Sequence, residues 1–232
     1  EGSVRFANGV TLSPDQSHYL FGVMRLGAGQ PVLVFNGRDG EWRADVVTAN
    51  RRAGQLAAVG PTAPLRPLPD LWLALAPLRK ARTDFVVEKA VELGAARILP
   101  VQTRYTNAER IRQDRLRAHA IEAAEQCGAT AVPEVLDLQP LDRVLAGWPA
   151  DRPILWGDES LAGRPAPLPE RKAGQGWGIL VGPEGGFSPE EQARLRALPQ
   201  VVPVSLGPRI LRAETAALAA LVLWQLRYGD WA

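Results

Sequence analysis

Hydrophobic and polar positions follow two different rhythms along the 232 residues. Up to about residue 60 the apolar segments are short and turn-bounded. PVLVFN (31–36) leads into the turn Gly37-Arg38-Asp39-Gly40, then EWRADVV (41–47) with partial alternation, then QLAAV (55–59). Short strands at this spacing predict a small barrel or a compact β-sheet. Residues 60–69 contain four prolines, which can continue neither a helix nor a central strand, so this stretch reads as a linker.

From residue 70 the pattern changes to strands alternating with helices. LWLALAPL reads as a buried strand, and TDFVVEKAVELG (83–94) as a helix closed by Gly94. RILPV (97–101) is a strand, and a long helix is expected over 107–127. Further strands are expected at 153–158, 176–182 and 201–207, with helices after the last two. The final helix, about 214–228, is apolar almost all round, which requires burial on more than one side. Such alternation predicts an α/β layer with a mostly parallel sheet. The expected domains are therefore 1–67 and 68–232.

Composition narrows the class. With 46% apolar and 22% charged residues the chain can bury a substantial core. Its longest strongly apolar run, 216–224, is too short to span a bilayer. The first ten residues, EGSVRFANGV, lack a secretory pattern, so a cytoplasmic protein is expected; the start at Glu1 suggests that residues precede it. Cys127 is the single cysteine, which excludes an intramolecular disulfide and a multi-cysteine zinc site. His18 and His119 are the only histidines, so no metal is expected, and Cys127 reads as a buried structural thiol. The net charge is +2, and residues 1–67 carry it all, with 7 Arg against 5 Asp plus Glu. That imbalance points to an anionic partner of the small domain.

In open α/β sheets, ligands bind beyond the carboxyl ends of the strands. Three expected strand ends carry unusual residues: Trp156-Gly157-Asp158, the GPEGG of LVGPEGGFSPEE (180–191), and SLGPRILRAET (205–215). Two Gly-Pro turns, each between an apolar strand and a helix, suggest a shared ligand. Neither GxGxxG after a strand nor GxxxxGK[ST] occurs, so neither usual phosphate cradle is present. Ser188, Pro189 and Glu191 already cap the helix after the first turn, which leaves little for a phosphate to do there. A nucleoside cofactor without phosphate, held in glycine-opened loops, fits better.

These two segments, with EKAVELGAARILPV (88–101) and EAAEQCG followed by VPEV, resemble the signature of the RsmE-type 16S ribosomal RNA methyltransferases of the SPOUT superfamily. The likeness covers residues 70–228 well and the small domain more loosely, through His18, Met24-Arg25-Leu26 and Phe35-Asn36-Gly37. It implies a PUA-like RNA-binding domain, a methyltransferase domain with a carboxyl-terminal trefoil knot, and a homodimer. It also implies transfer of the methyl group of S-adenosylmethionine to N3 of uridine 1498 in 16S ribosomal RNA of the small ribosomal subunit. The same fold could instead serve a non-catalytic RNA-binding or assembly factor. Where the family usually has Arg after Glu-Gln-Cys-Gly, Ala129-Thr130 stand here.

Under this resemblance Gly182, Gly185, Gly186 and Gly207 let the backbone approach the cofactor. Leu180, Leu206, Ile210 and Leu211 line its adenine, with Glu184 and Thr215 nearby. Uridine N3 carries a proton and must lose it to become nucleophilic, which calls for a base or for cations that stabilise the uridinate. Arg212 and Glu214 are the expected catalytic pair, shaping the uracil pocket. Arg209, Arg5, Arg25, Arg38 and Lys80 are the expected RNA contacts.

Overall fold

The computed structural model describes residues 9–107, 111–164, 168–170 and 174–232, with the side chain of Lys80 outside the description. Residue contacts divide the chain into two units, Glu1–Pro67 and Leu68–Ala232.

The first unit is built on a four-stranded antiparallel sheet in the order β1-β4-β3-β2. Its strands are β1 (Val10–Thr11), β2 (Pro31–Phe35), β3 (Glu41–Thr48) and β4 (Gln55–Ala63). β4 extends to Ala63, so the first part of the expected linker is strand: it pairs with β3, where register shifts absorb its irregularity. Pro61 is tolerated because β4 has β3 and only the two-residue β1 for neighbours, an edge-like position over its last residues. A helix that the strand-like reading missed, α1 (Pro14–His18), runs into a π-helical turn at Tyr19–Val23. Ser13 caps α1 and Gln16 completes the capping box. Leu12, Phe21, Ala44, Val46 and Leu56 form the buried core of this unit. Buried Ser17 accepts a hydrogen bond from the Gly54 N–H at 3.0 Å.

The second unit carries a parallel sheet in the order β11-β9-β10-β5-β6-β7, and β8 also pairs with β6. The strands are β5 (Leu71–Leu75), β6 (Arg97–Gln102), β7 (Glu134–Val135), β8 (Gln139–Pro140), β9 (Ile154–Gly157), β10 (Trp177–Val181) and β11 (Val201–Val204). Every residue of β10 is buried, as a strand covered on both faces must be. The helices are α2 (Lys80–Glu92), α3 (Gln113–Cys127), α4 (Leu141–Ala146), α5 (Pro189–Ala197) and α6 (Ala213–Tyr228). Alternate strand positions face opposite layers: Ala74, Leu99, Trp156 and Leu180 pack with Leu141 and Leu145 of α4 and Leu195 of α5. α2, α3 and α6 pack together on the other side.

Two helix starts and the exposure of Cys127 differ from the sequence reading. α2 begins at Lys80 instead of residue 83, because Arg79 is still extended and the turn Leu78–Thr83 is tied by the Thr83 hydroxyl. α3 begins at Gln113 rather than 107: Asn107, Ile111 and Arg112 are not helical. Cys127 is exposed, since it closes α3 on the turn just before Gly128, which takes φ +70° as the left-handed cap. In α6, Ala217, Leu221, Trp224 and Tyr228 are buried, and Gln225 donates to the Leu93 carbonyl at 2.6 Å. Tyr228 stacks on Trp177 of β10, with centroids 4.6 Å apart. No helix among the described residues is long and apolar enough to cross a membrane.

Candidate active site

β11, β9 and β10 are adjacent and parallel, so their carboxyl ends open on one side of the sheet. A cavity of about 580 Å³ lies there, within the size range of pockets for nucleoside-sized ligands. Its apolar surfaces come from Trp156, Leu180, Phe187, Val204 and Leu206, with Ala216 and Ala220 of α6. Trp156 and Phe187 meet edge to face, centroids 6.0 Å apart.

Glycines shape both loops. A Cβ on Gly182 would stand 2.8 Å from the Phe187 ring, and one on Gly157 would stand 2.9 Å from Leu206. Gly186 and Gly207 hold φ of +70° and +113°, a region that disfavours other residues. The Gly186 N–H closes its turn on the Pro183 carbonyl at 2.9 Å. The second loop is held to the β9 side, where the Gly163 N–H donates to the Gly207 carbonyl at 3.0 Å. After the first loop the capping box forms as the sequence indicates. The Ser188 N–H donates to Glu191 at 2.8 Å, and the Glu191 N–H donates to the Ser188 hydroxyl at 3.3 Å. The other oxygen of Glu191 accepts from the Arg104 N–H at 2.8 Å, fixing the β6–α3 loop that brings Asn107 to the cavity.

Of the residues singled out from sequence, Leu180, Gly182, Glu184, Gly186, Leu206, Gly207, Arg209, Ile210, Leu211 and Arg212 line this cavity. Gly185 lies outside the lining, where a Cβ would stand 3.3 Å from Tyr105. Thr215 is exposed and also outside it. Glu214 is outside the lining too, yet it is tied to it: Arg82 Nε lies 3.5 Å from Glu214 Oε1. The same guanidinium lies 3.9 Å from Glu184, which also accepts from the Arg79 N–H at 3.3 Å. The second oxygen of Glu214 is buried and without a hydrogen-bond partner among the described residues.

Arg25 and Arg38 are exposed in the first unit, and Arg25 has a φ of +59°. Arg5 lies outside the described residues. Lys80 opens α2, and its side chain is likewise outside the description.

Sequence reasoning missed Arg79 and Arg82, because they sit just before and in the first turn of α2, more than 70 residues before either loop motif. It placed Asp158 at a strand end without giving it a role. Asp158 is 5% exposed and lines the cavity. Burial by itself would raise its pKa, but hydrogen bonds from Ser160 and Arg196 outweigh that and hold it below the usual carboxylate value.

Comparison with known proteins agrees with this geometry. The RNA methyltransferase domain model matches residues 65–225, and the RNA methyltransferase PUA domain model matches residues 12–57. The ribosomal RNA small subunit methyltransferase E of Synechocystis sp. is 30% identical, over 91% of this chain and 71% of its own. Its counterpart from Rickettsia conorii is 28% identical, over 88% of this chain and 84% of its own. The crystal structure of the Neisseria gonorrhoeae enzyme of that name, bound to S-adenosyl methionine, superposes with a TM-score of 0.87. It shares 27% identity and covers 100% of this chain and 97% of that one. With an α/β unit holding two glycine-opened loops at adjacent strand ends, preceded by a PUA-type unit, the chain belongs to the RNA methyltransferase family as a relative of the ribosomal RNA small subunit methyltransferases E.

Proposed function

We propose that this protein uses S-adenosylmethionine to methylate N3 of uridine 1498 in 16S ribosomal RNA of the small ribosomal subunit. The observation that carries this reading is the cavity beyond β9, β10 and β11, where apolar walls lie beneath a rim bearing Arg79, Arg209 and Arg212. The relatives named above support the substrate, and the ligand of the gonococcal structure supports the cofactor. The residues suit that group: Leu180, Val204 and Leu206 offer an apolar slot for a purine, and Asp158 offers a buried anion to a cationic ligand. When bound, S-adenosylmethionine supplies an electrophilic methyl group on its sulfonium sulfur.

The chain's own contribution is to place a uridine and to make its N3 nucleophilic. For N3 to become nucleophilic its proton must pass to water or to a base, and the negative charge left on the uridinate spreads over N3 and its flanking carbonyl oxygens. The side chains of Arg209 and Arg212 make no ion pair or hydrogen bond among the described residues, so their guanidinium donors can face such an anion. Glu214, held by Arg82, is the carboxylate that completes the uracil pocket.

Residues 1–67 would bind RNA, with exposed Arg25 and Arg38 as phosphate contacts. The carboxyl-terminal part would form the trefoil knot, a reading supported by β11 pairing outside β9 after the chain has passed through β10. A homodimer is supported by Leu226 and Trp231, large apolar side chains left half or more exposed at and after the end of α6. Action on the small subunit would put the protein in the cytoplasm.

Purified protein incubated with unmodified 30S particles and methyl-labelled S-adenosylmethionine should transfer label to 16S RNA, with 3-methyluridine at position 1498 by mass mapping. No transfer to such particles defeats the reading.

A further inference from the structure

Asp158 follows Gly157 at the end of β9, the strand lying between β10 and β11. Its side chain is buried, yet it lines the cavity. One oxygen accepts from the Ser160 N–H at 3.0 Å, the other from Arg196 at 2.9 Å. The guanidinium of Arg196 belongs to α5, is 45% exposed, lies 5.3 Å from the centroid of the Trp156 ring, and is not part of the lining. The pair is therefore polarised: its positive end meets water, which screens it, while its negative end faces the cavity. Two other carboxylates, Glu159 and Glu184, line the same space, but both are exposed, and Glu184 already faces Arg82.

Anchoring α5 and closing the turn at Glu159–Leu161 would explain the hydrogen bonds of residue 158. Both bonds are accepted by the carboxylate, so an asparagine, whose amide nitrogen only donates, would keep just one of them; what anchoring leaves unexplained is that the negative end of the pair also faces the ligand cavity. We propose that Asp158 is a specificity-determining residue that makes the cavity select a positively charged ligand, favouring the sulfonium methyl donor over its neutral thioether product. This rests on the cofactor assignment above. Its benefit is turnover: the reaction removes the positive charge from sulfur, so the same carboxylate that holds the donor ceases to hold the product. Across a cavity of this size, on the order of 10 Å, and at an effective dielectric constant of about 20, one buried charge changes affinity about tenfold.

The test is calorimetric binding of S-adenosylmethionine and S-adenosylhomocysteine to the full chain, without RNA. Wild type should prefer the sulfonium ligand. Asp158→Asn should weaken it about tenfold and shift the thioether less than about twofold, collapsing the preference. Asp158→Ser, which keeps a hydroxyl acceptor for Ser160, should do the same and serves if the amide variant does not fold. Arg196→Gln should leave the preference in place, because the charge facing the cavity is retained. Equal weakening of both ligands in either Asp158 variant overturns the inference and leaves Asp158 as an anchor for α5. Failure of wild type to bind either ligand removes the cofactor assignment itself, and this inference with it.

Discussion

The Arg82 guanidinium stands 3.5 Å from the Glu214 carboxylate, and through its other side it approaches Glu184 at 3.9 Å. One residue at the start of α2 thus joins the two loops that lie more than 20 residues apart in sequence. Both glutamates belong to the motifs, and neither has another cation in ion-pair contact among the described residues. Arg82→Ala would remove the ion-pair partner of a carboxylate whose second oxygen is already buried and without a hydrogen-bond partner among the described residues, and unmet buried acceptors are costly. Methyl transfer to 30S particles should fall by about 10- to 100-fold in kcat/KM, while Arg82→Lys should recover most of it. A variant retaining full activity would show that the ion pair positions nothing.

Arg212 occupies the N-cap of α6 with extended backbone and makes no side-chain capping bond, so the helix does not need its side chain. Its guanidinium is exposed at the cavity rim. Arg212→Ala should therefore leave thermal stability nearly unchanged and lower single-turnover methyl transfer by about 100-fold, the typical effect of removing a donor from developing negative charge. Affinity for 30S particles, measured by filter binding, should change by less than about threefold. Loss of binding in proportion to loss of rate would instead make Arg212 an ordinary phosphate contact.

The two loops use glycine for different reasons, and alanine substitution should separate them. At Gly207 a Cβ meets nothing within 4 Å, but φ is +113°, so the cost is backbone strain, on the order of 1–3 kcal/mol. In a chain of this size that corresponds to a fall in Tm of roughly 2–4 °C per kcal/mol. At Gly182 the backbone is ordinary, but the Cβ would press on Phe187, which is buried and packed edge-on against Trp156. Gly182→Ala should therefore displace a cavity wall and weaken S-adenosylmethionine binding by tenfold or more, as read by calorimetry. Gly207→Ala should lose more in Tm than in affinity; the reverse order would contradict this division.

What the sequence made legible was local. Apolar runs such as WGILV mark buried strands whatever surrounds them, and Ser188-Pro189-Glu190-Glu191 states a capping box within four residues. The same signature, Ser13-Pro14-Asp15-Gln16, stood in the small domain and marked α1, but five helical residues between strands left too little periodicity for the helix to be noticed. Strand β4 was cut short because Pro61 argues against a strand unless the sheet order is known. Arg79 and Arg82 carry no motif; their role arises from β5 pairing next to β10, a long-range fact that no window of sequence contains. Asp158 was visible as an unusual residue, but its burial and its partner in α5 depend on tertiary packing.

That partnership gives Asp158 a pH signature. Burial works to raise its pKa, but the Ser160 and Arg196 hydrogen bonds prevail and hold it below the ordinary value, which is about 3.9 in an unfolded chain. Between those two values the unfolded state binds more protons than the folded state, so stability rises with pH across that window. The stabilising contribution is present in full above about pH 5 and is lost as pH falls through the unfolded value toward the folded one. Asp158→Asn cannot titrate, so its deficit relative to wild type should be largest at pH 7 and should shrink as pH drops from about 5 to 3. Urea-unfolding midpoints of the two proteins at pH 7, 5, 4 and 3 would read this directly. A deficit that stays constant over the series would mean that residue 158 contributes through shape and neutral hydrogen bonds, with no ionised carboxylate involved.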